Sequence, residues 1–309
     1  MQNRNVIIFA GIFALSAIAV CFGSVNTDRP ALPEIEPLFD YPLRDVSICL
    51  GPDGTYYMTG TTGYPTWWKT NSGISIWKSA DLKQWDPMGE VWNIDKDGTW
   101  QKKFVGDKRA VWAPEIHYIK GTYWLTYSMN YYGCGLLKSV SGNAEGPYVD
   151  VKKDGPLAGP NQIDASLFVE DDGTVYYLFQ NGLIAKMNDD MNSLAEEPRL
   201  LKPSNHKEVG YEAAFIFKYK GKYHLLCADF NGGGKTYYDC MIASSDNLFG
   251  PYSERYLAIP HAGHNIIFMD KQGQLWSTIF GHDKFSPIRE RPGILKIEID
   301  SAGKIKPAI

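Results

Sequence analysis

Five short segments of this 309-residue chain repeat one pattern, a glycine turn running into aromatic, β-forming residues. They are Asp53-Gly54-Thr55-Tyr56-Tyr57, Lys120-Gly121-Thr122-Tyr123-Trp124, Asp172-Gly173-Thr174-Val175-Tyr176, Lys220-Gly221-Lys222-Tyr223-His224 and Gln272-Gly273-Gln274-Leu275-Trp276. Their glycines lie 67, 52, 48 and 52 residues apart. A unit of that length, holding several short strands, matches one blade of a β-propeller, which buries both faces only when neighbours stack against it. Runs such as Tyr123-Trp124-Leu125-Thr126-Tyr127 and Val175-Tyr176-Tyr177-Leu178-Phe179 have strand length and strand composition. After residue 43 the sequence offers no amphipathic helix of three turns. The expectation is an all-β, five-bladed propeller over residues 43–309. The gap of 67 predicts an insertion in the first blade, around Gly63–Gly73 or Asp95–Lys108, and the third blade reads as abbreviated.

Nine residues before each glycine stand Asp45, Trp112, Asp164, Glu212 and His264. The innermost strand of every propeller blade begins near the axis at the same face, so residues in equivalent positions converge although far apart in sequence. Three carboxylates and a histidine are thereby expected around one funnel. Neighbouring carboxylates raise one another's pKa, and that tension suits glycoside hydrolysis, where one acid stays protonated and an opposing carboxylate stays ionised. Glu115 lies three residues off this phase and reads as a structural or rim acid.

The N-terminus carries a different message. Arg4 precedes a 17-residue uncharged apolar run, Val6 to Phe22, which reads as a signal peptide over residues 1–22. Ile18-Ala19-Val20-Cys21 resembles a lipoprotein site, so membrane attachment is expected only through an N-terminal lipid. The protein is expected to be exported to the periplasm or cell surface. Residues 23–42 contain Pro30, Pro33, Pro37 and Pro42 and read as a Pro-rich leader. A net charge of −4 without blocks of like charge gives no basis for nucleic-acid binding. Cys49, Cys134, Cys227 and Cys240 show no CxxC spacing and are expected as buried free thiols.

The segments Arg44-Asp45-Val46-Ser47, Trp112-Ala113-Pro114-Glu115, Ile163-Asp164-Ala165-Ser166-Leu167-Phe168, Tyr211-Glu212-Ala213-Ala214 and Gly263-His264-Asn265 resemble the successive blade motifs of family 43 glycoside hydrolases. That resemblance runs in order over about residues 40–300. It implies an inverting glycosidase acting on arabinose-, xylose- or galactose-containing plant glycans, without the C-terminal β-sandwich that some members carry. By the same resemblance Asp45 is the general base, Glu212 the general acid and Asp164 the residue that tunes and orients the acid. No cofactor is implied for the chemistry. His264 matches a histidine associated with a structural Ca²⁺ on the propeller axis, and a water-mediated contact suits neutral imidazole and a hard cation. The chain departs from the family pattern in having Asp45-Val46 and Asp164-Ala165 where Asp-Pro is common, and Glu212-Ala213-Ala214 for Glu-Gly-Pro.

Substrate contacts are expected from Trp112, Trp67 and Trp68, from Tyr211, and from Arg289 or Arg291 late in blade five. The structural alternative to a catalytic Asp45 is that it forms an ion pair with the preceding Arg44. The favoured activity is exo-acting release of terminal α-L-arabinofuranose from oligosaccharide or polysaccharide by a monomeric enzyme, with β-xylosidase or galactosidase action as the alternative. A non-catalytic sugar-binding propeller would keep the tryptophans yet tolerate loss of an acid. A retaining fructosidase would carry an Asn-Asp-Pro-Asn-like opening, which this chain lacks.

Overall fold

The computed structural model describes residues 29–308 apart from 107, 108 and 233; the apolar run expected as a signal peptide and Cys21 lie outside the described residues. Twenty strands form five four-stranded antiparallel meanders, each ordered as in the sequence. Blade I holds β1 (Arg44–Leu50), β2 (Tyr56–Thr61), β3 (Gly73–Ser79) and β4 (Asp86–Asn93), and blade II holds β5 (Val111–Ile119), β6 (Thr122–Met129), β7 (Cys134–Ser139) and β8 (Tyr148–Asp150). Blade III holds β9 (Ser166–Val169), β10 (Val175–Phe179), β11 (Leu183–Lys186) and β12 (Arg199–Leu200). Blade IV is β13 (Glu212–Tyr219), β14 (Lys222–Asn231), β15 (Tyr237–Ser245) and β16 (Tyr256–Ile259), and blade V is β17 (Ile267–Met269), β18 (Leu275–Phe280), β19 (Pro292–Ile299) and β20 (Ile305–Pro307). The two-residue β12 makes blade III the abbreviated one. Both regions proposed for the first-blade insertion are long connections, one carrying a single helical turn, Trp67–Thr70, and the other a 3-10 turn, Trp100–Lys103.

Each blade buries both faces, which is why the inner strands read as continuous apolar runs rather than alternating ones. One hydrophobic cluster fills each interface. Ile74, Ile76 and Trp92 meet Val111, Ile116 and Leu125 between blades I and II. Leu136 packs on Leu167 and Tyr177 between II and III, and Ile184 on Ile216 and Leu225 between III and IV. Leu226 and Ile242 meet Ile267 and Ile279 between IV and V, and Phe268 meets Ile48 and Met58 where V returns to I.

Blade V takes all four strands from the C-terminal end, so no strand crosses to close the ring. The leader spans the join instead. Arg29 pairs with the buried Asp239 of blade IV and stacks 4.1 Å from the Tyr237 ring. Ile35 enters the core between IV and V. Leu38 N–H bonds the Pro292 carbonyl (2.8 Å) and Leu43 N–H the Glu290 carbonyl (3.1 Å), before the chain enters β1. β20 pairs only with the far part of β19, Ile297–Ile299, so the leader occupies an edge that would otherwise be left open. Two Gly-Pro-Tyr segments, Gly146-Pro147-Tyr148 and Gly250-Pro251-Tyr252, anchor the outer parts of blades II and IV. The Tyr148 and Tyr252 rings are buried, and their hydroxyls bond the carbonyls of Ala144 and Leu248, both at 2.8 Å. The four described cysteines are unpaired, three of them buried.

Candidate active site

All five innermost strands start with the same backbone kink. Asp45, Ala113, Asp164, Ala213 and His264 have φ between 44° and 58°, a left-handed conformation uncommon outside glycine and often found where surrounding structure enforces it at functional sites. In blades I, II and IV the strand register slips there, between Arg44 and Ser47, Trp112 and Glu115, and Glu212 and Phe215. Such bulges re-aim side chains beside active sites.

The kink separates two rings that the nine-residue offset had merged. Asp45, Asp164 and His264 occupy the left-handed position itself. Trp112 and Glu212 lie one residue before it, in register with Arg44 and Ile163. The cause is the hairpin turn at the far end of each strand, partly offset by one extra strand residue between kink and turn in blades II and IV. Blades I, III and V use five-residue turns, closed by Gly51 N–H to Thr55 O (2.8 Å) and its counterparts at Glu170–Thr174 and Asp270–Gln274. Blades II and IV use two-residue Lys-Gly turns, with Lys120, Gly121, Lys220 and Gly221 all at positive φ. Counting back from the glycine therefore reaches a different position in the two kinds of blade.

The rings nevertheless converge. Arg44, Asp45 and Trp67 from blade I, Trp112 and Tyr131 from II, Ile163 and Asp164 from III, Glu212 and Tyr238 from IV, and His264 from V line one cavity of about 80 Å³. Larger hollows occur among the hairpin turns at the opposite ends of the inner strands, away from this convergence of acids.

Asp45 is held on two sides. The Thr61 hydroxyl accepts the Ala113 N–H (2.7 Å) and donates to Asp45 Oδ2 (2.6 Å), while His264 Nδ1 lies 3.4 Å from Oδ1. Asp164 is buried, with its own N–H on the Ser128 hydroxyl (2.7 Å). Burial pushes its carboxyl well above the usual range, with the charges of Glu212, Asp45 and Glu115 adding to the effect and the Ala213 N–H opposing it. Glu212 is raised too, first by burial. The Tyr238 hydroxyl, donating to Glu212 Oε1 at 2.9 Å, and His264 pull the other way. The Asp164–Glu212 pair is thus poised to retain a proton beside the braced Asp45.

The remaining candidates separate. Trp112 and Trp67 line the cavity, their rings at 5.6 Å and Trp112 Nε1 donating to the Trp67 carbonyl (3.3 Å). Trp68 is exposed, its ring perpendicular to that of Trp67 at 5.4 Å, because the helical turn replaces the extended pairing that would have sent the two to opposite sides. Tyr211 is exposed outside the lining, its ring 5.9 Å from Phe230. Arg289 and Arg291 also lie outside the cavity lining, with Arg291 Nε bonded to the Ile288 carbonyl (3.1 Å). Glu115 is buried deeper along β5, 3.1 Å from His117. Arg44 does form an ion pair, but with Glu290 rather than Asp45. Arg44, Tyr131 and Tyr238 are lining residues that the glycine phase could not reveal. Among the described residues no three His, Cys, Asp or Glu side chains converge as direct metal ligands. His264 Nε2, buried without a protein partner, fits contact with a water of a hydrated cation.

The sequence profile described as Glycosyl hydrolases family 43 matches residues 36–305. An extracellular exo-α-(1→5)-L-arabinofuranosidase of Cellvibrio japonicus is 26% identical over 226 residues, 62% of this chain and 63% of that protein. A xylosidase/arabinosidase of Humicola insolens is 28% identical over 231 residues, 57% of this chain and 66% of that protein. The chain spans between about half and two thirds of the length of the curated relatives it matches first. Among solved structures, an α-L-arabinofuranosidase from Clostridium thermocellum superposes with a TM-score of 0.68 over 86% of this chain and 93% of that one. At 23% identity, that likeness concerns the fold.

Proposed function

The chain belongs to glycosyl hydrolase family 43, and on that premise we propose that it is an inverting, exo-acting glycosidase releasing terminal α-L-arabinofuranose from plant-type glycans. The observation that carries the reading is the convergence of Asp45, Asp164 and Glu212, from three blades, on one small cavity. In this mechanism Asp45 takes a proton from a water, whose oxygen attacks the anomeric carbon. Glu212 protonates the departing glycosidic oxygen as the bond breaks, and the freed sugar has inverted configuration. Asp164, buried beside Glu212, keeps the acid's proton in place. Trp67 and Trp112 offer aromatic faces to the sugar ring. His264 Nε2, buried without a protein partner, would hold a hydrated Ca²⁺ through water, and that cation would supply positive charge to the neighbouring carboxylates. Export fits the extracellular relative, and the substrate is the one partner this reading requires.

A small cavity supports exo action on a chain end. β-Xylosidase action is the second reading, favoured by the mixed xylosidase/arabinosidase relative. Hydrolysis of aryl α-L-arabinofuranoside, β-D-xyloside and galactosides, followed by proton NMR of the first-formed product, tests both. The expected product is β-L-arabinofuranose. A retained anomer would overturn the mechanism, and preference for the xyloside would overturn the sugar assignment.

A pH prediction follows from Tyr238. Its hydroxyl bond favours ionised Glu212, so Tyr238→Phe raises the Glu212 pKa further. Turnover needs Glu212 protonated. The alkaline limb of the kcat/KM–pH profile is therefore expected to move to higher pH in the variant, and movement to lower pH would remove Glu212 as the acid.

A further inference from the structure

Arg44 has an arrangement that an ion-pair role leaves unexplained. The side chain is 8% exposed, yet it lines the cavity one residue before Asp45. Its guanidinium is clamped between aromatic faces, 4.2 Å from the Trp67 ring and 4.7 Å from the Phe280 ring. Among the described residues its hydrogen bonds run through Nη1, to Glu290 and to His282 Nδ1 (3.1 Å). Nε is buried without a partner. A buried N–H on a cation is costly to leave unpaired, and a binding site is a common place for such a donor.

We propose that Arg44 grips the terminal sugar, its Nε–Nη2 edge donating to two neighbouring ring hydroxyls. The guanidinium edge presents two parallel N–H groups in a fixed fork, which fits a vicinal diol. Glu290 and His282 hold the opposite side, and the aromatic clamp blocks rotation. The backbone then fixes the gripped ring directly against Asp45, because the two residues are adjacent at a rigid kink. This role rests on the glycosidase reading of the same cavity. It defines the substrate as a sugar whose terminal ring carries an unsubstituted vicinal diol.

The test compares wild type, Arg44→Lys and the charge-balanced Arg44→Met/Glu290→Gln on aryl α-L-arabinofuranoside and its 2-deoxy and 3-deoxy analogues. The ratio of wild type to variant on each substrate cancels the intrinsic reactivity of the deoxy sugar. On the parent the variants are expected to lose on the order of tenfold to a hundredfold in kcat/KM, the range for hydrogen bonds to a charged group. On the analogue lacking a contacted hydroxyl the loss should shrink severalfold. An equal loss on all three substrates, with melting curves unchanged, would make Arg44 structural and overturn the proposal. Tryptophan fluorescence titration with free arabinose, xylose and galactose, and with 2-deoxy- and 3-deoxyarabinose, separates the two readings. Wild-type binding that weakens in both variants and discriminates against a deoxy sugar, without hydrolysis of any glycoside, would sink the glycosidase and retain the grip. Hydrolysis with variants indistinguishable from wild type would do the reverse.

Discussion

Glu212→Gln is expected to cost about 10²–10⁴-fold in turnover on natural arabino-oligosaccharides, the range for losing a general acid. On an aryl arabinofuranoside with a strongly acidic phenol it should cost little. The contrast follows from the role: an alkoxide leaving group must be protonated as it departs, whereas an acidic phenolate leaves unaided. Glutamine preserves shape, and its carbonyl can still accept the Tyr238 hydroxyl that holds Glu212 Oε1 at 2.9 Å. Stability should move in the opposite direction. Burial raises the folded-state pKa of Glu212, so its favourable contribution is present below the unfolded pKa and is lost as pH rises through the folded value. Glutamine does not ionise and escapes that loss. The melting temperature of the variant relative to wild type should therefore increase from pH 5 to pH 8, as expected where a functional acid is held in an unfavourable setting. Steady-state kinetics on the two leaving groups, with calorimetric melts at both pH values, check the pair of effects. An equal kinetic loss on both substrates would exclude Glu212 as the acid.

The glycine spacing was enough to expose five blades because each Gly turn marks a backbone need that few other residues meet. The functional phase was harder to read, and the reason is local. The glycine is fourth in the five-residue turns of blades I, III and V and second in the two-residue turns of II and IV, and one extra strand residue in II and IV reduces that difference to one, so Glu212 and Trp112 stand one position before the equivalents of Asp45, Asp164 and His264. The offset still found the cavity, since adjacent residues flanking a left-handed kink both reach it. It could not find Tyr238, which comes from the third strand of its blade, or Tyr131, which follows a second strand. Arg44 is visible next to Asp45, where the sequence offers only their pairing as an alternative to catalysis. Its ion pair with Glu290 spans 246 residues and depends on ring closure, which no local pattern encodes. The leader is a similar case: its prolines suggested an extended segment, while its packing across blades IV, V and I depends on the unpaired edge of β19.

Asp45 should behave unlike Glu212. The base acts on the water and not on the leaving group, so Asp45→Asn is expected to lose about 10²–10⁴-fold on activated and natural substrates alike. Asparagine tolerates the left-handed backbone of this position, φ 54°, and its amide oxygen can keep the Thr61 hydroxyl bond, so the fold should survive. The sharper test uses Asp45→Gly, because glycine adopts that φ without strain and opens space where the carboxylate stood. Azide then needs no base. It attacks the anomeric carbon from the side of the missing carboxylate, a C–N bond forms as the C–O bond breaks, and the Glu212 proton leaves with the alcohol. The product should be the glycosyl azide of inverted configuration, with turnover rising as azide is added. Retained configuration in that product would place Asp45 on the wrong side of the sugar. An undiminished rate in Asp45→Asn without azide would show that some other group activates the water.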